Sequence, residues 1–225
     1  MARGGAQRIP RPELWRVGDA APWLGRDLSA LRTFGEMRTA LEARIAGREP
    51  GEYVPPHATE PTTRTSAVLV ALHDSPQGPS VVLTRRTAHL SSHKGEMSFP
   101  GGRVEPGETL VQAAIREAQE EVALDPALVN PVGRLDSLST VVSSSAIHPI
   151  VATLAAFPDL TAHDHEVERI VHVPLLELAD EQTYRREHWV RGTAETEIHF
   201  FEIEGDTVWG ATGRMLYQLI DLLTQ

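Results

Sequence analysis

Three carboxylates, Glu117, Glu120 and Glu121, fall within five residues of the stretch "REAQEEVAL". At about 6 Å and an effective dielectric of about 20, one such pair repels by roughly 3 kcal/mol. The stretch reads as a helix. At 100° per residue, Glu117 and Glu121 lie one turn apart on one face, with Glu120 further round the same edge. Small Ala114 continues that face toward the helix start, and Val111, Ile115, Ala118 and Val122 form the apolar stripe expected to face the core. A solvated acidic face with an Arg116 ion pair is the plain alternative. Against it stands the Gly/Pro-rich lead-in "FPGGRVEPGE", which ends in a fourth carboxylate, Glu108. A loop of this kind brings backbone carbonyls and acidic groups to a helix start. Several hard oxygen donors then converge, a set suited to Mg²⁺ or Mn²⁺. A cation between the glutamates removes their repulsion, and such strain is expected at functional sites.

These residues need a scaffold. "GETLVQAAIREAQEEVAL" is the clearest helix, and Thr109 followed by Gln112 predicts a capping box at its start. "SAVLVAL" and "PSVVLTRR" read as strands joined by the turn "HDSPQG". "PVGRLDSLSTVVSSSAIHPIVATLAAF" reads as two further strands, "EVERIVHVPLLELAD" as strand or turn-helix, and "EIHFFEIEGDTVWG" as a hairpin around Glu204-Gly205-Asp206. "GRMLYQLIDLLTQ" predicts a terminal helix. Helices among mixed strands argue for one α/β or α+β domain over residues 61–225. Ahead of it, residues 1–60 read as an extension with one helix ("DLSALRTFGEMRTALEARIAG", ended by Gly47) and a Pro-rich linker.

The 225-residue chain carries 41% hydrophobic and 23% charged residues, an ordinary globular balance. It has no cysteine, which excludes disulfides, thiolate catalysis and Cys-based zinc sites. A net charge of -10 disfavours a nucleic-acid partner, and no apolar run approaches a membrane span. The N-terminus lacks the apolar core of a secretory signal, and the chain ends Leu-Thr-Gln rather than in a peroxisomal Ser-Lys-Leu, so a cytoplasmic location is expected.

Taken together, these residues resemble the box of the Nudix hydrolase family, G-x5-E-x7-R-E-U-x-E-E-x-G-U with U aliphatic. Gly102 opens it, Glu108 follows, then Arg116-Glu117, Ala118, Glu120-Glu121 and Leu124. Ala123 replaces the family's last glycine, a position of helix termination rather than chemistry. Upstream, "VLTRRTAHLSSHKGEMSFPGG" is similar to the pattern L-L-T-x-R-[S/A]-x3-R-x3-G-x3-F-P-G-G of family members acting on coenzyme A. Leu83, Thr84, Arg86, Gly95, Phe99, Pro100, Gly101 and Gly102 match. Val82, Thr87 and Ser91 depart, the last replacing an arginine suited to a phosphate. Arg85, His93 or Lys94 is the expected substitute cation.

The resemblance covers roughly residues 65 to 220 and implies a Nudix α/β/α sandwich with a mixed β-sheet and an N-terminal helical extension. It implies metal-dependent hydrolysis of a nucleoside diphosphate linked to another moiety, with Mg²⁺ or Mn²⁺ as cofactor. By that resemblance Glu117, Glu121, Glu120 and the Gly101 carbonyl are the expected metal ligands. Glu120, Glu121 and Arg116 are the expected catalytic groups, Arg116 orienting the glutamates with Glu108 as its partner. Arg85, Arg86, Lys94 and Phe99 are expected to contact the substrate, coenzyme A or a related nucleotide. The general base stays open among Glu120, Glu166 and Glu168. His163 and His165 raise a transition-metal site, which the oxygen-rich box disfavours. Trp209 is expected to pack. A homodimer is left open.

Overall fold

The computed structural model describes residues 3–5, 7, 9–56, 64–87, 94–140 and 145–225. In chain order its strands are β1 (Trp15–Val17), β2 (Glu52–Tyr53), β3 (Arg64–His73), β4 (Ser80–Arg86), β5 (Met97–Ser98), β6 (Gly101–Arg103), β7 (Val129–Arg134), β8 (Ser137–Thr140), β9 (Ser145–Leu154), β10 (Val167–Pro174), β11 (Tyr184–Arg191), β12 (Ala194–Ile203) and β13 (Asp206–Val208). The helices are α1 (Phe34–Arg44), α2 (Leu110–Val122), α3 (Leu175–Leu178) and α4 (Gly210–Leu223).

The apolar runs of β3, β4 and β9 are buried on both faces, as expected of strands at the centre of a covered sheet. They form a mixed sheet ordered β10-β4-β3-β9-β8-β2, with β3 and β9 parallel and β5, β6 and β7 added beside β4, β3 and β9. β3 divides its edge: Leu72 and His73 pair with β4, while Ser66 to Val68 pair with β6. That split opens the sheet where the glycine-rich loop enters. One face carries α2 over Ala67, Leu69, Val82, Ile150 and Ala152. The other carries the larger core, closed by α1, α4 and a second, antiparallel sheet β1-β11-β12-β13. A mixed sheet with helices on both faces is the layering expected from the sequence.

Of the second sheet the sequence reading holds only the hairpin around Glu204-Gly205-Asp206, which forms as β12 and β13; β1 and β11 are not read. β11 has no clean alternation because a carboxylate, Glu187, occupies one of its buried positions. Likewise "PVGR…ATLAAF" yields three strands, not two, and "EVERIVHVPLLELAD" yields both a strand and a short helix. The early chain is woven into the fold: β1 pairs with β11, β2 with β8, and Trp23, Leu31, Met37, Leu41 and Ile45 are fully buried in the larger core.

Candidate active site

α2 begins as its sequence dictates. The Thr109 hydroxyl accepts the Gln112 amide at 3.2 Å, and the Gln112 side chain accepts the Thr109 amide at 2.9 Å. Its buried face differs from expectation. Ala113, Ala114, Ala118, Glu121 and Val122 are buried, whereas Val111 and Ile115 are only partly so. The face against the sheet is therefore centred on the glutamate stripe itself. Three alanines let the helix approach β3 closely, and close approach outweighs the pull of the larger side chains.

Gly101, just before the box, and Gly102, which opens it, are both required by close approach, the first to β3 and the second to α2. A Cβ on Gly101 would sit 2.5 Å from the Val68 Cα, and one on Gly102 would sit 2.5 Å from the Glu117 carboxyl carbon. With no side chains there, the Gly101 amide donates to Glu121 Oε2 at 3.1 Å.

Arg116 serves several acceptors at once. Its Nε and Nη2 donate to Glu108 at 2.8 and 3.2 Å, and its Nη1 to Glu117 at 2.9 Å and Glu120 at 3.2 Å. Nη2 also reaches the Arg103 carbonyl at 3.0 Å. The guanidinium is held above its usual range, chiefly by Glu108, and Glu108 is held below the usual carboxylate range by the same pair.

The inner glutamates are pushed the other way. Burial raises Glu117, only partly offset by Arg116, with Glu120 and Glu166 adding repulsion. Burial raises Glu121 to about 7 against the Gly101 amide and Arg86, and Glu166 and Glu117 add to the rise. Arg86 Nη1 stands 3.7 Å from Glu121 Oε1. The site thus holds hard, partly desolvated oxygen donors facing too little positive charge, which fits Mg²⁺ or Mn²⁺. Among the described residues no three His, Asp or Glu side chains already form a metal-holding group, and Arg116 engages two of the donors. A cation entering here competes with that arginine.

The remaining expected residues separate. Strand alternation puts Arg86 on the α2 side and Arg85 on the other, where it meets Asp206 at 3.3 Å and Glu168 at 3.5 Å. Phe99 is buried in the larger core and packs there, which removes it from the substrate-facing set. Lys94 is exposed, and Ser91 and His93 lie outside the described residues. The segment before β10 is tied to α2 by the His163 amide on the Glu121 carbonyl, and to Thr87 by the Glu166 carbonyl. That brings Glu166 within electrostatic reach of Glu117 and Glu121, while Glu168 faces Arg85 at a bulge. His163 and His165 are exposed, with ring centroids 5.6 Å apart. Trp209 is half-buried, 6.0 Å from Trp189.

The carboxylate-rich helix thus packs on the mixed sheet behind a glycine loop whose Gly102 leaves no room for a side chain beside Glu117. The NUDIX domain matches residues 63–193, and the chain belongs to that family, as a Nudix hydrolase. It is 33% identical over 166 residues to the uncharacterized Nudix hydrolase NudL of Yersinia pestis, covering 72% of this chain and 81% of the relative. Among solved structures, a MutT protein from Methanosarcina mazei Go1 aligns over 73% of this chain and 96% of its own, at 18% identity and a TM-score of 0.49. The C. elegans Ap4A hydrolase aligns over 49% of this chain and 80% of its own, at 24% identity and a TM-score of 0.43. Among the described residues no helix is long and apolar enough to cross a membrane.

Proposed function

We propose that this chain hydrolyses the diphosphate of coenzyme A, adding water across one P–O–P bridge to give adenosine 3′,5′-bisphosphate and 4′-phosphopantetheine. One observation carries the reading: the coenzyme A-type stretch "VLTRR…FPGG" ends β4 with Arg86 facing the box carboxylate Glu121 at 3.7 Å. Glu117, Glu121, Glu120 and the Gly101 carbonyl are the groups to hold Mg²⁺ or Mn²⁺. Bound there, the cation supplies charge neutralisation on the diphosphate and a more acidic water. The protein's own groups do the rest. Arg116 fixes the box glutamates and is itself fixed by Glu108. Arg86 offers a fork of donors to a diphosphate oxygen. In this reading Glu166 takes a proton from the attacking water, supported by its exposure and its electrostatic reach to the inner glutamates, with Glu120 the alternative base. Lys94 is exposed toward solvent and free to meet the outer part of a nucleotide.

Ser91, in place of the pattern's second arginine, favours a second reading in which ADP-ribose, NADH or another nucleoside diphosphate derivative is the substrate. Chromatography of products after incubation with Mg²⁺ or Mn²⁺ and each compound in turn separates the two. Efficient release of 4′-phosphopantetheine from coenzyme A is the expected result. Cleavage of ADP-ribose or NADH with coenzyme A left intact overturns it in favour of the second reading.

A further inference from the structure

A second charged cluster sits on the far side of β4 from the box. Asp206, at the start of β13, is fully buried. Its Oδ1 accepts the Gln7 amide at 2.7 Å and faces Arg85 at 3.3 Å, and its Oδ2 binds Arg169. Arg85 and Arg169 are direct cross-strand neighbours, a like-charge pairing that is unfavourable without a carboxylate between them. Gln7 also reaches the Gly95 carbonyl at 3.4 Å and accepts the Thr207 amide at 3.1 Å. Gly95 and Glu96 in turn bond the backbone of Arg86 on both sides, at 3.1 and 3.0 Å. Adjacent arginines are therefore anchored on opposite faces of one strand, Arg85 to Asp206 and Arg86 toward Glu121. Gln7 and Asp206 both lie outside residues 63–193, where the family match falls.

We infer that Asp206 and Gln7 are positioning residues for substrate binding: they set the backbone of Arg85–Arg86 and Gly95, and through it the guanidinium that Arg86 presents to a diphosphate. This rests on the hydrolase reading above. It makes the early segment and the second-sheet hairpin determinants of substrate affinity, acting from behind the strand.

The test uses the full chain with Gln7→Ala and, separately, Asp206→Asn, assayed with whichever nucleotide the wild type cleaves. Loss of a positioning contact raises KM by about 5-fold in Gln7→Ala and more in Asp206→Asn, with kcat within about twofold. Amide hydrogen exchange gives a readout free of catalysis: the Arg86 and Gly95 amides exchange about tenfold faster, with α2 unchanged. A lower melting temperature with KM unaltered overturns the inference, because a clasp that only stabilises moves no affinity. Unchanged exchange at Arg86 and Gly95 overturns it too. Gln7→Ala keeps the test valid should Asp206→Asn fold poorly. If the wild type cleaves none of the nucleotides, the hydrolase reading fails, and exchange at those amides decides the clasp by itself.

Discussion

The box and the second sheet solve opposite charge problems. At the box one arginine, Arg116, serves three carboxylates, and the innermost, Glu121, is left with an amide and a distant guanidinium. In the second sheet the ratio is inverted. Glu187, 3% exposed at its side chain, is gripped by Arg11 at 2.6 and 2.8 Å, by Arg185, and by the Trp189 indole at 2.7 Å. Burial pushes Glu187 up, but these donors outweigh it and hold the group below its usual range. Both carboxylates are buried, so burial alone does not mark function. The balance of partners separates the two: Glu187 is saturated with donors, and Glu121 is undersupplied, as the proposed seat for a cation requires.

The largest effect that sharpens this contrast comes from Glu121→Gln. Activity is expected to fall by roughly 10³-fold, since one of the proposed donors to the cation is lost. The same change stabilises the metal-free protein at pH 8 by about 2 kcal/mol. Glu121 titrates at about 7 when folded and at 4.5 in its ordinary state, so the folded protein binds more protons between those values. Wild-type stability therefore declines as pH rises from 4.5 to about 7, and the glutamine variant lacks that decline. Thermal melts against pH measure this. Mn²⁺ at about 100 times its wild-type Kd then stabilises the wild type by about 2.7 kcal/mol and the variant, which keeps the other proposed donors, by clearly less. A variant that is less stable at pH 8 without metal would break the comparison.

Glu187→Gln has the opposite sign and a comparable size. It leaves two arginines against a neutral amide, and stability at pH 7 falls by roughly 2 kcal/mol, a drop of about 4–8 °C in melting temperature. Because the folded pKa lies below the usual carboxylate value, this contribution is present above 4.5 and is lost as pH falls through the folded value. Wild type and variant converge in acid. Turnover by the folded fraction stays near wild type.

The two regions also differ in how far their sequence discloses them. The box is read from spacing, because its carboxylates, glycines and cap sit on one local run and helical geometry converts spacing to position. Even there the buried face differs from the one side-chain size implies, since size favours Val111 and Ile115 while packing distance favours three alanines. The second sheet shows only its β12–β13 hairpin in the sequence, and the rest is hidden because its determinants are long-range. Glu187 breaks the alternation of β11, and its partner Arg11 lies 176 residues away. Asp206 shows as a turn residue in sequence, and its role appears only once Gln7, Arg85 and Arg169 are brought around it. Nothing local separates Arg85 from Arg86 until the strand places them on opposite faces.

The smallest effect concerns the end of α2, where the chain departs from the family's glycine. Ala123 caps the helix at φ 55° and ψ 29°, the sole non-glycine residue with positive φ among those described. Its amide bonds back to the Ala118 and Gln119 carbonyls, so the left-handed turn forms despite the Cβ. An L-residue there costs roughly 1–2 kcal/mol, while glycine gives back about 0.5–1 kcal/mol through the freedom of its unfolded chain. Ala123→Gly is accordingly expected to stabilise by about 0.5 kcal/mol, a rise of about 1–2 °C on melting. Because this turn carries the chain from Glu121 and Val122 toward Leu124 and touches no substrate group, kcat and KM should not move. A gain in stability with kinetics unchanged would separate the framework of the box from its chemistry. A change in KM would instead show that the strain at Ala123 helps to set where Glu121 stands.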